Sequence, residues 1–169
     1  MVRILSFGMN PLENNLMDVP SEIMVKMERF CAFQERCGSD VRRKLTSFHL
    51  SESQKNAVLN SLKENGFLDE ARYVESFVRG KVRSSWGRQK IVAALRAKGI
   101  PAELIDQACA QIPADDYQGK LREAIAKWRR SHPDEAANSP KLVRHLLSKG
   151  FRVEEALEAV SSWQLVVGS

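Results

Sequence analysis

The sequence predicts an all-α fold. Apolar residues recur at three- and four-residue spacing in nine segments, which is the period of one face of an α-helix, and no segment alternates as a strand would. Three of the predicted helices end in a leucine followed four positions later by glycine. A glycine in that position supplies the left-handed backbone that closes many helices, so both the helices and their ends follow from local pattern.

The first three helices are delimited by glycine and by capping residues. A first helix is predicted over 21–36, beginning at a cap on Ser21, with Gly38 as the left-handed residue that ends it. A short second helix is predicted over 39–49. Ser51 and Gln54 have the spacing of a capping box, in which each side chain accepts from the other residue's backbone amide, so a third helix is predicted to open there.

The later helices are delimited mainly by acidic residues and proline. Asp69 is the predicted N-cap of the fourth helix, and Pro101 opens another helix after a glycine-containing end. Pro113 stops that helix. Ser139 and Pro140 have the order expected for a cap and a first helical residue.

An internal repeat organises these helices. Apolar positions of the second and third helices map onto later segments at offsets of fifty and then fifty-one residues, and three helix ends share the Leu-x-x-x-Gly-apolar pattern. The shared ends are Leu62 to Phe67, Leu95 to Ile100 and Leu146 to Phe151. We therefore predict three tandem three-helix repeats, stacked as an elongated, curved array. Their predicted bounds are 21–67, 68–113 and 114–163, between a flexible N-terminal lead, 1–20, and a C-terminal tail, 164–169.

Composition is that of a folded protein of the cytoplasm. Hydrophobic residues make up 43% and charged residues 28% of the chain, which is too apolar for a disordered segment. The N-terminal apolar patch is too short for a secretory signal peptide, and no membrane association is expected. The three cysteines are scattered, which favours reduced thiols over disulfides. Neither they nor the three histidines have the spacing of a metal site.

Catalytic motifs are absent from the sequence. We find no phosphate-binding glycine loop, no nucleophile elbow and no zinc-protease helix motif. The acidic pairs Asp69-Glu70 and Asp115-Asp116 stand at predicted helix starts, where carboxylates complement the helix dipole. We therefore expect a protein that is not an enzyme and that needs no cofactor.

A basic segment in the middle of the chain is the candidate binding site. Between Arg72 and Lys98 there are eight lysines and arginines against one glutamate, a net charge of +7, whereas the whole chain carries +5. Such a segment can be a solvated helix face, but this concentration, with a sequence pI of about 9.3, favours an anionic partner. Trp86, at the turn between the two basic helices, is either a core residue or a stacking surface. The candidates are Arg72, Arg79, Lys81, Arg83, Arg88, Lys90, Arg96 and Lys98.

The same region resembles the bacterial RecX family of regulatory proteins. The segment 66–78, GFLDEARYVESFV, is similar to the most characteristic motif of that family. Residues around Glu35-Arg36-Cys37 and Lys98-Gly99-Ile100 resemble its first repeat and the close of its second. The similarity is strong over 35–100 and weaker over 141–151. Val74 stands where the family usually has alanine, and the first twenty residues match no part of it.

The resemblance implies a role in homologous recombination, DNA repair and the SOS response. Proteins of this family have tandem three-helix units, bind the filament that the recombinase RecA forms on DNA, and hinder its extension, ATP hydrolysis and strand exchange. It supplies no catalytic residues. We accordingly expect a monomer whose partner is the RecA filament, with single- or double-stranded DNA as a further partner.

Two other classes of protein remain open at this point. A basic helix in a three-helix unit is also typical of sequence-independent DNA-binding modules that have no specificity for RecA. An adaptor that docks on another protein is the third class, and the apolar segment 163–167 is the feature that favours it.

Overall fold

The computed structural model describes residues 18–136 and 138–167, with side chains as far as Trp163. Within these ranges the chain forms helices and connections and no strand, so the all-α prediction is confirmed. The predicted lead lies outside the described residues up to position 17, and so does the end of the predicted tail, 168–169. The helices are α1 (Ser21–Phe33), α2 (Gly38–Leu45), α3 (Glu52–Glu64), α4 (Glu70–Arg83), α5 (Arg88–Ala97), α6 (Ala102–Ala110), α7 (Ala114–Ser131), α8 (Pro140–Ser148) and α9 (Val153–Val167).

The chain divides between Tyr73 and Val74 into two compact units. Helices α1 to α3 lie in the first unit and α5 to α9 in the second, whereas α4 crosses the division. The bounds predicted for the three repeats stay a prediction.

The first unit has its own apolar core. Helices α1 and α2 both pack against α3. Met27, Val41, Leu45, Val58 and Leu62 are fully buried there. The pairs on α2 and α3 are each four residues apart, which places both side chains on one face of their helix. Each such side chain contributes about 1.5–3 kcal/mol by leaving water.

The second unit has a core between α7, α8 and α9, which pack against one another. Leu121, Ile125, Leu146 and Phe151 are fully buried in it, and the ring of Tyr117 lies 5.6 Å from that of Phe151. Helix α5 packs against α6.

Equivalent positions of the predicted repeat are buried in the same way. The apolar pair on the second helix of each repeat has no exposed side-chain surface in any of the three copies. These pairs are Val41 and Leu45, Ile91 and Leu95, and Leu142 and Leu146. The repetition of three-helix groups along the chain is therefore a property of the fold as well as of the sequence.

The three predicted glycine helix ends are confirmed. Gly66, Gly99 and Gly150 have φ values of 73°, 76° and 89°. After Gly99 and Gly150 the next amide donates to the carbonyl of the preceding leucine, as the Schellman motif requires. After Gly66 the corresponding carbonyl, that of Leu62, instead accepts from Leu68, one residue further along.

The predicted end of the first helix is wrong. Helix α1 ends at Phe33, and Gly38 begins α2 with ordinary backbone. The Gly38 amide has no partner inside its helix and donates instead to Oε1 of Glu70, at 2.8 Å. Ser21, the predicted cap, is the first residue of α1, and its cap is Pro20.

The other predicted caps are confirmed. The Gln54 amide donates to Oγ of Ser51 at 3.2 Å, and the Ser51 amide donates to Oε1 of Gln54 at 2.8 Å. The carboxylate of Asp69 accepts from the Arg72 amide in the first turn of α4. The hydroxyl of Ser139 accepts from the Lys141 amide, which follows Pro140 at the start of α8.

Candidate functional site

The predicted binding residues lie on α4, on α5 and at the end of α5. Their exposure differs, so they do not form one uniform row. Arg72, Arg79, Arg83, Lys90 and Arg96 are exposed, and Lys81, Arg88 and Lys98 are half-buried.

Arg72 belongs to the first unit and is already engaged there. Its Nε donates to Oε1 of Glu35 at 2.7 Å, and its guanidinium donates to the carbonyl of Gly66 at 2.9 Å. The hydrogen bond with Glu35, together with the charges of Glu35 and Asp69, raises the pKa of Arg72. Its role as a binding residue stays a prediction, and the structure gives it a role in holding the start of α4.

Arg88 is turned toward the protein. Its guanidinium donates to the carbonyl of Cys109 at 3.3 Å and lies 5.6 Å from the ring centroid of Tyr117. Its backbone amide donates to the Tyr117 hydroxyl at 3.0 Å. Burial raises the pKa of Tyr117, so the phenol stays protonated and donates to Glu155. A binding role for Arg88 stays a prediction.

Arg79 and Arg83 line a groove of about 800 Å³ between α4, the end of α6 and α7. Neither arginine forms an ion pair with a described residue. The buried side chains of Val78 and Val82, on the same helix, line the same groove. We call this surface the α4–α7 groove.

The α4–α7 groove is mixed in charge. Helix α7, which lies opposite the two arginines, contributes the carboxylates Asp115, Asp116 and Glu123. Helix α4 itself adds a fourth, Glu75. The cations that line the groove are Arg79, Arg83 and Lys120, and Lys120 is paired with Glu123 on α7 at 2.6 Å. A chain of phosphates would be repelled by the carboxylates, whereas a protein surface that carries both charges and an apolar side chain is complementary to the groove.

Trp86 lies between two of the predicted lysines. The Nζ of Lys81 is 4.5 Å from the centroid of the Trp86 ring, and the Nζ of Lys90 is 4.6 Å from it. Lys81 also lies 5.2 Å from the ring centroid of Phe77, one helical turn earlier. The structure therefore brings cations of α4 and α5 together on one half-buried indole.

A glycine contact fixes the start of α5. The Gly87 amide donates to the carbonyl of Lys149 at 2.7 Å, and the Gln89 amide donates to that of Gly150 at 3.0 Å. Backbone amides at the start of α5, which have no partner inside their own helix, thus donate to backbone carbonyls that follow α8. A Cβ on Gly87 would lie 2.1 Å from the backbone of Gly150, so only glycine allows this approach.

A second cavity, of about 480 Å³, lies beside α5 and α6. Three arginines line it, Arg88, Arg96 and Arg152, with Asp106 as its one carboxylate. Arg152 is not among the predicted binding residues, because it follows the glycine end of α8 and lies far from the basic segment in the chain.

A third cavity, of about 540 Å³, adjoins the turn before Trp86. It is lined by Ser84 and Ser85, by the cations Arg83, Lys127 and Lys149, and by a single carboxylate, Glu123. Lys127 and Lys149 are likewise absent from the predicted set. The repeat would have indicated Lys149, because it stands one repeat after Lys98.

Two histidines line the same third cavity. The ring of His132 stacks on that of Trp128 at 4.3 Å and an angle of 8°. Burial lowers the pKa of His145, and the positive charges of Lys149 and His132 lower it further. His145 is therefore neutral at pH 7.

The described residues show no arrangement for metal or thiol chemistry. In the ranges given above, no group of three or more His, Cys, Asp or Glu is placed to hold a metal ion. Burial raises the pKa of Cys31, Cys37 and Cys109, which keeps these thiols protonated. None of the helices in the described part of the chain has the length and apolarity to cross a membrane.

A family model and individual proteins of the same family are similar to this chain. A family model described as "RecX, second three-helix domain" matches residues 69–108. Regulatory protein RecX of Thermus thermophilus is 30% identical over 146 residues, which cover 86% of this chain and 92% of that protein. Regulatory protein RecX of Streptococcus equi subsp. zooepidemicus is 30% identical over 138 residues, 80% of this chain. The match covers 53% of the streptococcal protein, so the chain spans about half its length.

Solved structures share the fold. A crystal structure of RecX from Lactobacillus salivarius has a TM-score of 0.73 at 20% identity, covering 90% of this chain and 99% of the other. A second RecX crystal structure has a TM-score of 0.71 at 21% identity, covering 89% of this chain and 73% of the other.

Proposed function

Because the chain belongs to the family of RecX regulatory proteins, we propose that it binds RecA filaments on DNA and regulates them. It acts by hindering filament extension, ATP hydrolysis and strand exchange, as a cytoplasmic monomer. The observation that carries the proposal is the match of residues 69–108 to the second three-helix domain of the family, since this range contains all eight predicted binding residues.

The α4–α7 groove is the proposed contact with the RecA protein itself. Arg79 and Arg83 have no ion-pair partner in the described residues, and they line a groove together with apolar side chains and the carboxylates of α7. Charge patterns of this kind determine which partner binds more than they add to raw affinity. A filament also presents many equivalent sites, so a ligand that touches neighbouring protomers gains affinity from assembly alone.

The test is RecA-catalysed ATP hydrolysis on single-stranded DNA with the Arg79→Glu/Arg83→Glu variant. We expect the wild-type chain to inhibit hydrolysis and the variant to lose inhibition, because two glutamates would face the existing carboxylates of the groove. The matched control is Arg122→Glu/Arg130→Glu, which makes the same charge change at exposed positions of α7 that line none of the three cavities. Helicity of both variants is checked by circular dichroism.

Inhibition that persists in the Arg79/Arg83 variant would remove the α4–α7 groove from the interface. Equal loss in both variants would mean that net charge, and not the groove, determines binding. A wild-type chain that leaves hydrolysis unchanged at saturating concentration would contradict the proposed function as a whole.

The alternative is a sequence-independent DNA-binding module without RecA specificity, and the basic third cavity favours it. Such a module would bind bare duplex DNA with a salt slope near −0.9 for each phosphate it neutralises. We expect instead that binding to bare duplex is weak and that binding to RecA-coated DNA is tight. Equal affinity for both would favour the alternative.

A further inference from the structure

Three arginines from separate parts of the chain meet at the second cavity. Arg88 begins α5, Arg96 lies in the last turn of that helix, and Arg152 directly precedes α9. They line a space of about 480 Å³ whose other lining residues are mostly small or apolar. A cavity of this volume lies within the range that small-molecule ligands occupy.

One chain of hydrogen bonds holds the backbone at two of these arginines. The Arg88 amide donates to the Tyr117 hydroxyl at 3.0 Å, and that hydroxyl donates to Oε2 of Glu155 at 3.3 Å. The same Oε2 accepts from the Arg152 amide at 2.8 Å. The guanidinium of Arg88 is held as well, because it donates to the carbonyl of Cys109 at 3.3 Å. The backbone positions of both arginines are therefore set before a ligand binds, which reduces the entropic cost of binding.

The protein does not neutralise the positive charge of this cavity. None of the three arginines forms an ion pair with a described residue, and Asp106 is the single carboxylate that lines the cavity. Three guanidinium charges against one carboxylate leave a net charge of +2. Like charges that share a cavity repel each other, and a bound anion would relieve that repulsion.

The other two repeats lack this arrangement, so the arginines are not a packing requirement of the repeat. In the first repeat, Arg42 stands one repeat before the lining residue Val92 and is already paired with Glu52 at 3.0 Å. In the third repeat, Leu147 stands one repeat after Arg96 and carries no charge. Positive charge without a protein partner at this position is thus a property of the second repeat.

We propose that this cavity binds a small molecule with linked phosphate groups, the chemistry that inorganic pyrophosphate shares with nucleoside di- and triphosphates. The phosphates bridge Arg88 and Arg96 on α5 to Arg152 beside α9, and the side chains of Val92 and Ala93 contact the rest of the ligand. A guanidinium donates two parallel hydrogen bonds to one phosphate, so arginine suits such a site better than lysine does. The ligand is bound and undergoes no reaction.

Linked phosphates fit this cavity better than other anions. A single carboxylate of a peptide would neutralise half of the excess charge, whereas a diphosphate would neutralise all of it. A strand of nucleic acid instead spreads its charge along a continuous groove, and these three cations converge on one cavity. Any effect of the ligand on RecA inhibition rests on the proposed function, whereas the binding site itself does not.

The test is isothermal titration calorimetry of the chain alone, without RecA or DNA, at constant ionic strength. The ligands are pyrophosphate, ADP, orthophosphate and sulfate. We expect both linked phosphates to bind, and orthophosphate to bind about 10-fold more weakly or worse, because it reaches fewer guanidinium groups. Tighter binding of ADP than of pyrophosphate would support the site with a nucleotide as its ligand, and equal binding would support it with an inorganic one.

The deciding variant is Arg96→Gln/Arg152→Gln, which removes two exposed cations of the cavity. Its affinity for pyrophosphate should fall by about 10- to 150-fold for each charge-assisted hydrogen bond that is lost. The matched control is Arg122→Gln/Arg130→Gln, which makes the same charge change at exposed positions of α7 outside the three cavities. It should bind pyrophosphate as the wild type does. Thermal unfolding is a second measurement, since a ligand that binds the folded chain raises its Tm.

Failure of both linked phosphates to bind the wild-type chain would overturn the inference. So would an equal loss of affinity in the two variants, which would indicate a response to net charge, or equal binding of sulfate, which would indicate an adventitious ion only. If the double variant does not fold, Arg96→Lys decides, because it keeps the charge and loses the paired hydrogen bonds, and unchanged affinity would overturn the proposal. RecA inhibition by a chain that binds no pyrophosphate would refute this site alone and leave the proposed function standing.

Discussion

Replacing Gly87 with alanine tests the contact that joins the start of α5 to the end of α8. The added Cβ would lie 2.1 Å from the carbonyl carbon of Gly150 and 2.1 Å from the amide nitrogen of Phe151. Both are backbone atoms, so no flexible side chain can move aside. The two segments must separate by about 1.4 Å to reach an ordinary van der Waals distance of about 3.5 Å.

That separation has two costs. Overpacking of this kind destabilises by about 1–3 kcal/mol. The hydrogen bonds from Gly87 to Lys149 and from Gln89 to Gly150, now 2.7 Å and 3.0 Å, would stretch beyond useful length, at about 0.5–1.5 kcal/mol each. Because the two costs overlap, we expect a net loss of about 2–4 kcal/mol and a fall in Tm of roughly 5–15 °C.

The matched control is Gly80→Ala. Gly80 lies inside α4, and a Cβ there would meet nothing within 4 Å. Alanine is favoured over glycine in a helix interior by about 0.5–1 kcal/mol, so the same one-methyl change should stabilise the chain. The backbone of Gly87, with φ −75° and ψ 157°, also suits alanine, so its cost comes from the contact alone.

The assay is urea unfolding followed by circular dichroism, with thermal unfolding as a second measurement. A loss of stability in Gly87→Ala together with a gain in Gly80→Ala would support the contact. A Gly87→Ala variant as stable as the wild type, or more stable, would refute it and would mean that α5 does not approach Gly150 in solution.

Two further predictions concern the same unit. Ser85→Gly should stabilise the chain by up to about 1 kcal/mol, because Ser85 has a φ of 56°, which glycine adopts without strain. Urea unfolding measures this change. A decrease in stability would indicate that the serine side chain makes a contact of its own. His145 has a folded-state pKa below its ordinary 6.5, so the unfolded chain binds more protons in this range, and the stability present above pH 6.5 should be lost as pH falls below it. The fall in Tm between pH 7 and pH 5.5 should be smaller in His145→Gln, measured against the wild type in the same buffers, and identical profiles would contradict the burial of this ring.

Most of the helical architecture was predictable because its causes are local. The periodicity of Val41 and Leu45 predicts a buried helix face, and the glycine after Leu95 predicts a helix end, from residues a few positions apart. The prediction that Gly38 ends the first helix is wrong because the cause of its actual role is not local. Its role depends on a hydrogen bond to Glu70, thirty-two positions away, which no local pattern reveals.

The basic segment could be identified from the sequence, but its division into separate surfaces could not. Positive charge in α4 and α5 is visible in the sequence, as is the resemblance that suggested the family. The sequence does not show that Arg72 pairs with Glu35 or that Arg88 is turned inward, since both contacts depend on partners more than twenty residues away. Ser85 likewise closes a helix in left-handed backbone, where sequence patterns would require glycine.

The sequence by itself therefore determined the helices, most of their ends, the buried positions of each repeat and the family, because periodicity and capping act within one or two turns. Only the tertiary structure decided which cations lie together on one surface. It separates the mixed-charge groove of Arg79 and Arg83 from the indole between Lys81 and Lys90, and it adds Lys149 through the approach of Gly87 to Gly150. Charges distant in the chain share a surface only when packing brings their helices together, and that packing follows from non-local contacts.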